Sequence, residues 1–140
     1  MIDFFFGRRT KVLLVNGNRR EAGTLESFLP RGEFEVIRAG TGRSGLKAAA
    51  KEAPGIILLD AELPADNGWE TLSGLKSDER TAAIPVLVCA PMDDEPARER
   101  ALALGAAGCI PKPLKREVVV TRIARRLNKG ADGVFRKGFF

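Results

Sequence analysis

From residue 11 onward, short aliphatic runs alternate with amphipathic stretches. Lys11 to Val15 is a nearly continuous apolar run, the form of a strand buried on both faces of a parallel sheet. Asn16-Gly17-Asn18 breaks it and offers an N-cap to a helix over about 19–29, with Ala22, Leu25, Phe28 and Leu29 on one face. Pro30 to Glu33 turns the chain into a second strand at 34–37, and an alanine-rich helix over about 43–53 stops at Pro54-Gly55. Residues 56–60 form the third and most apolar strand, followed by a loop and a helix at about 69–77 carrying Trp69, Leu72 and Leu75. A fourth strand spans 85–89, and the acidic loop 91–96 leads into a helix with Ala101, Leu102 and Leu104 that Gly105 ends. A short fifth strand at 108–110 precedes a last helix at about 115–128, with Val118, Val119, Ile123 and Leu127 at helical spacing. No repeat or low-complexity segment interrupts the series.

Five strands alternating with five helices predict a doubly wound α/β fold with a parallel sheet. In such sheets the ligand site lies beyond the carboxyl ends of the strands. Asn16-Gly17, Asp60, Ala90 and the segment 111–113 are therefore the positions to question.

Composition changes this picture mainly by exclusion. With 44% hydrophobic and 29% charged residues in 140, the chain is ordinary for one globular domain. No run of 18 apolar residues exists to span a membrane, and no leader of signal-peptide form is visible, so the expected location is the cytoplasm. Histidine is absent, which removes Ser-His-Asp catalysis and most transition-metal sites. Cys89 and Cys109 form no CxxC pair, and both read as small core residues.

The formal charge is +5, of which residues 1–10 carry +1 and residues 129–140 carry +2. Six of the eight phenylalanines also lie in these ends: Phe4, Phe5, Phe6, Phe135, Phe139 and Phe140. The chain thus divides into an aromatic, basic extension (1–10), a body (11–128) and an aromatic, basic tail (129–140). Either these ends pack on the body, or they contact a membrane surface or a partner's groove. No helix carries a dense basic stripe, so nucleic-acid binding is not expected.

The segment Asp60-Ala61-Glu62-Leu63-Pro64 followed by Asn67-Gly68-Trp69-Glu70 resembles the surroundings of the phosphoacceptor in response-regulator receiver domains, the CheY-like fold. Lys112-Pro113 stands after the fifth strand, where that family keeps a Lys-Pro pair. The resemblance covers about residues 11–128 and implies a five-stranded sheet of order 2-1-3-4-5. It also implies a chemistry: a strand-end aspartate accepts a phosphoryl group from phosphohistidine, with Mg2+ and a lysine balancing the charge. A Ser or Thr and an aromatic residue then report the event.

Carried over position by position, Asp60 matches the acceptor and Lys112 the lysine. Asn16 and Gly17 stand where the family's acidic pair belongs, Ala90 where its hydroxyl belongs, and Cys109 where its switch aromatic belongs. One carboxylate in place of three leaves a charge of about −1 where about −3 is usual, too little to displace the water of a hard dication. No cofactor is expected, with weak Mg2+ at Asp60 at most. Asp60 and Lys112 then read as an ion pair, and Asp93 and Asp94 either as substitute ligands or as caps of the following helix.

The resulting expectation is a stand-alone, degenerate receiver in two-component signalling. It acts without phosphorylation as a protein-interaction module, and it is not an enzyme beyond possible phosphoryl acceptance. Its partners would be a histidine kinase or a downstream scaffold protein, with self-association open. The alternative is a true response regulator phosphorylated on Asp60, with an atypical metal site and switch. An aspartate-nucleophile phosphatase would need a second aspartate two residues on, where Glu62 stands.

Overall fold

The computed structural model describes residues 9–63, 67–91 and 93–127. The Phe-rich ends beyond residues 8 and 127, together with Pro64 to Asp66 and Met92, lie outside the described residues. In chain order the elements are β1 (Thr10–Val15), α1 (Arg19–Ser27), β2 (Phe34–Ala39), α2 (Gly42–Glu52), β3 (Ile56–Asp60), α3 (Gly68–Ser77), β4 (Val86–Pro91), α4 (Glu95–Ala103), β5 (Gly108–Lys112) and α5 (Arg116–Leu127). The five strands form one parallel sheet in the order β2-β1-β3-β4-β5.

Alternation along each strand divides the core into two layers. Leu13, Val15, Ile57, Leu59, Val86 and Val88 point to one face, against Ala49 of α2, Leu72 and Leu75 of α3 and Ala101 of α4. Val12, Leu14, Ile56, Leu58, Leu87, Cys89 and Ile110 point to the other, against Leu25 of α1 and Val119 and Ile123 of α5. Because both faces are covered, β1 and β3 are apolar at consecutive positions, which is why they stand out as runs in the sequence.

The differences from the pattern reading fall at element ends. β1 takes in Thr10, so the N-terminal extension ends inside a strand. β5 continues past Ile110 through Pro111 and Lys112, paired with Ala90 and Pro91 of β4. Proline breaks a strand by withholding a donor, but on the edge strand β5 Pro111 has no second neighbour to supply. Leu102, grouped with the apolar positions of α4, is 47% exposed, whereas Val120 and Ala124 of α5 are buried.

Helix entry is fixed by side-chain caps at the carboxyl edge of the sheet. Asn18, Thr41, Asn67 and Asp94 each accept a hydrogen bond from a first-turn backbone N–H of α1, α2, α3 and α4. Asp94 thus takes the capping role.

Close approach fixes two glycines. A Cβ on Gly45 would lie 2.9 Å from the Val15 methyls, and one on Gly68 would lie 2.8 and 2.9 Å from the carbonyl oxygens of Ala61 and Asp60. Gly68 therefore lets α3 begin directly against the end of β3. We predict that Gly68→Ala lowers unfolding free energy by about 1–3 kcal/mol, the usual cost of overpacking, as measured by urea denaturation. The same change at Gly32, where no atom lies within 4 Å of the Cβ position, should have little effect.

Candidate functional site at the carboxyl edge of the sheet

Parallel pairing sets the strand ends side by side. Val15 is in register with Leu59, so Asn16 and Asp60 follow as neighbours, and Asp60 is in register with Cys89 of β4. Asp60 is 4% exposed at the last position of β3. Its Oδ1 accepts from Lys112 Nζ at 2.9 Å and from the backbone N–H of Glu62 at 3.1 Å. The expected Asp60–Lys112 ion pair is present, between side chains only 5% and 17% exposed.

Two further carboxylates converge on the same ammonium. Glu21 Oε1 lies 3.1 Å from Lys112 Nζ, and Glu62 Oε1 lies 3.5 Å away. Glu21 is also gripped by Asn16, whose Nδ2 donates to its Oε1 at 2.8 Å. Asn16 Oδ1 in turn accepts from the backbone N–H of Asn18 at 2.8 Å. Both ends of the Asn16 carboxamide are therefore engaged. Asn18 caps α1 by accepting from Glu21 N–H at 3.0 Å, which sets Glu21 on the first turn, over the strand ends.

The expectation of a single carboxylate is corrected here. Glu21, Asp60 and Glu62 line one open pocket with Lys112, Gly17 and Asn18. Three carboxylates and one ammonium leave a formal charge of −2. Where the resemblance would put carboxylates at Asn16 and Gly17, the negative charge comes instead from the first turn of α1 and from the loop after β3. The Asn18-x-x-Glu21 spacing was the available signal, although a glutamate three residues past an N-cap ordinarily serves the cap itself.

Electrostatics follow from this packing. Burial works against the Lys112 charge, but hydrogen bonds to Asp60 and Glu21 prevail and hold its pKa above the ordinary lysine value. A raised lysine contributes stability that is complete below its unfolded pKa and lost as pH climbs through the folded one, so this contribution fades only in strong alkali. At Cys89, burial first and the Asp60 charge second push the thiol up to about 12. Cys109 is raised by burial, against the opposing pull of Arg98 and Arg122.

Ala90 and Cys109 lie on β4 and β5, and neither offers the hydroxyl or ring that the resemblance would put there. They belong not to the acidic pocket but to a separate groove between α4, β5 and α5.

The sequence profile of the response regulator receiver domain matches residues 12–124. The chain belongs to that family. It is therefore a receiver domain of two-component signalling, built on the CheY-like fold. It is 28% identical over 113 residues to the protein PilH of Pseudomonas aeruginosa, covering 81% of this chain and 93% of PilH. It is 31% identical over 113 residues to the response regulator PleD of Caulobacter vibrioides, covering 81% of this chain and 25% of PleD. The chain thus spans nearly all of PilH but a quarter of PleD, and 49% of the transcriptional regulator GltR of Pseudomonas aeruginosa.

Among solved structures, the chemotaxis response regulator CheY4 of Vibrio cholerae superposes with a TM-score of 0.78 at 24% identity, covering 85% of this chain and 99% of that one. The receiver domain of the sensor histidine kinase PA1611 of Pseudomonas aeruginosa, a structure with magnesium coordinated in its active-site cleft, gives 0.79 at 21% identity. That alignment covers 87% of this chain and 100% of that one. Among the described residues of this chain, no helix is long and apolar enough to cross a membrane.

Two measurements check the site. Lys112→Met should cost about 3 kcal/mol in urea denaturation, because it strands buried Asp60 without a counter-charge, and adding Asp60→Asn should recover much of that loss. A disulfide reagent at pH 8 should reach Cys89 only on unfolding, because its thiol is both covered and held neutral.

Proposed function

We propose that this receiver domain works in the cytoplasm as a protein-interaction module whose binding does not depend on phosphorylation of Asp60, the position that matches the family's acceptor. The observation that carries the reading is the place of the Lys112 ammonium. It sits 2.9, 3.1 and 3.5 Å from the carboxylates of Asp60, Glu21 and Glu62, at the centre of the acidic cluster.

The magnesium that the fold implies does not suit this donor set. A hard dication needs several oxygen ligands with little competition, and here the three carboxylates already share one cation. The Asn16 oxygen is bonded to a backbone N–H, and its nitrogen end faces Glu21. Among the described residues, no group of three or more carboxylate, thiol or imidazole side chains is disposed to hold a metal. On this reading Lys112 serves as an internal counter-ion, and Ala90 and Cys109 cannot supply the hydroxyl contact or the aromatic rotation that would report a phosphoryl group.

Glu21 favours a second reading. Its carboxylate restores charge next to Asp60, so release of Lys112 from Glu21 would leave an atypical acidic site at which a histidine kinase loads Asp60. One experiment separates the two. On incubation with acetyl phosphate or phosphoramidate and Mg2+, the expected result is no stoichiometric mass gain, and Asp60→Asn should leave partner binding unchanged. A stoichiometric, acid-stable and base-labile aspartyl phosphate that tightens partner binding would establish the second reading.

A further inference from the structure

The two ends of the chain leave the body at one place. β1 begins at Thr10 and α5 ends at Leu127, and a Cβ on Gly55 would lie 2.9 Å from the Thr10 methyl and 3.9 Å from a Leu127 methyl. In this parallel sheet every strand begins and every helix ends at the amino edge, opposite the acidic pocket of Glu21, Asp60 and Glu62. Residues 1–8 and 128–140, outside the described residues, therefore join the body next to each other. They hold Ile2, the run Phe4-Phe5-Phe6, Phe135 and the pair Phe139-Phe140, and residues 129–140 carry +2.

The described body continues the same chemistry at this edge. Arg31 stands before β2, Lys51 in the last turn of α2, and Arg125 and Arg126 in the last turn of α5. All four are exposed and have no ion-pair partner among the described residues. Arg126 reaches to 3.8 Å from where a Cβ on Gly108, the first residue of β5, would be. Most acids here are already committed: Glu35 to Arg9 at 4.0 Å, Glu52 to Lys11 at 3.1 Å and Asp78 to Arg80 at 2.8 Å. Glu33 and Glu79 are left against the four unpaired cations. Leu102, the one large hydrophobic exposed among the described residues, lies in the last turn of α4 at the same edge. The helix dipole favours a cation in a last turn, but it gives no reason for apolar side chains beside it.

We propose that the amino edge of the domain, together with both ends of the chain, binds an anionic phospholipid surface. The phenylalanines enter the boundary between headgroups and acyl chains, and Arg31, Lys51 and the two arginines of α5 meet lipid phosphates. Apolar insertion and electrostatic attraction act together in such a contact. Held this way, the domain turns its acidic pocket from the membrane and keeps the carboxyl edge free for a protein partner. The inference goes beyond the function proposed above and does not depend on whether Asp60 is phosphorylated.

Other occupants fit less well. A single-stranded nucleic acid stacks its bases on separate rings along a basic groove, whereas these rings come mostly in unbroken runs with the arginines outside them. Packing of the ends on the body would meet one exposed leucine at this edge, too little to cover six phenylalanines. A second copy would set two positive edges together.

The test is co-sedimentation of the full chain with vesicles of equal parts phosphatidylglycerol and phosphatidylcholine. Saturable binding that weakens with salt is expected, with affinity roughly ten-fold lower or less for phosphatidylcholine alone. Arg31→Glu/Lys51→Glu should lose roughly ten-fold or more, whereas Lys115→Glu/Arg116→Glu, the same change of charge at the opposite edge, should stay within about two-fold. Serine in place of Phe4, Phe5 and Phe6, or of Phe135, Phe139 and Phe140, should cost roughly ten-fold in each case. Orientation is read from Trp69, in the first turn of α3 at the carboxyl edge. Brominated acyl chains should leave Trp69 unquenched, yet quench the tryptophan of Phe5→Trp in a Trp69→Phe background. If a serine variant fails to fold, the charge reversals and the quenching decide alone. No binding, equal binding to both vesicles, equal loss in the two charge variants, loss through one end only, or quenching of Trp69 would each overturn the assignment. So would sedimentation without vesicles, which marks self-association, or displacement from vesicles by a single-stranded oligonucleotide.

Discussion

One ammonium organises the carboxyl edge of this sheet. Lys112 Nζ is held at 2.9 Å by Asp60 and at 3.1 Å by Glu21, in a half-buried place, and each partner is held in turn. Asp60 is fixed by its strand and by the Glu62 N–H, and Glu21 by the Asn16 amide. Three elements distant in sequence, the ends of β3 and β5 and the first turn of α1, are thereby tied together. A buried charge is tolerated only when it is paired and hydrogen-bonded, so removing any member leaves the others costly. On the proposed reading the arrangement needs no added cation.

Receivers couple a loading site to a distant face. On the proposed reading both ends of that coupling are altered in the same sense. At the loading end Asn16 and Gly17 replace acids, and the compensating carboxylate of Glu21 is spent on Lys112. At the reading end Ala90 and Cys109 replace a hydroxyl and a ring, and the space they leave is an arginine-lined groove.

Much of the fold was legible because both faces of the sheet are covered. Val12–Val15 of β1 and Ile56–Leu59 of β3 must then be apolar at consecutive positions, and such runs bounded by Gly, Pro or Asn are strong signals. Asp60 and Lys112 were legible from motif and strand order together. Glu21 was not, because a glutamate three residues past an N-cap has two ready explanations, the helix dipole and the capping box, and only the tertiary arrangement shows that it turns to Lys112 instead. The end of β5 was missed because Pro111 reads as a breaker, whereas on an edge strand its missing N–H is harmless. The exposure of Leu102 was not legible for a simpler reason. Helical spacing identifies an apolar position but not which side of the helix the neighbouring elements cover, and α4 buries Ala97 and Ala101.

The claim that Lys112 takes the role of the cation is tested most directly by titrating the full chain with Mg2+ while recording backbone amide resonances. Occupation of the acidic cluster by the ammonium predicts no saturable shift at Glu21, Asp60, Glu62 or Lys112 through millimolar Mg2+. Saturable shifts confined to those residues, with release of Lys112 from Glu21, would contradict it.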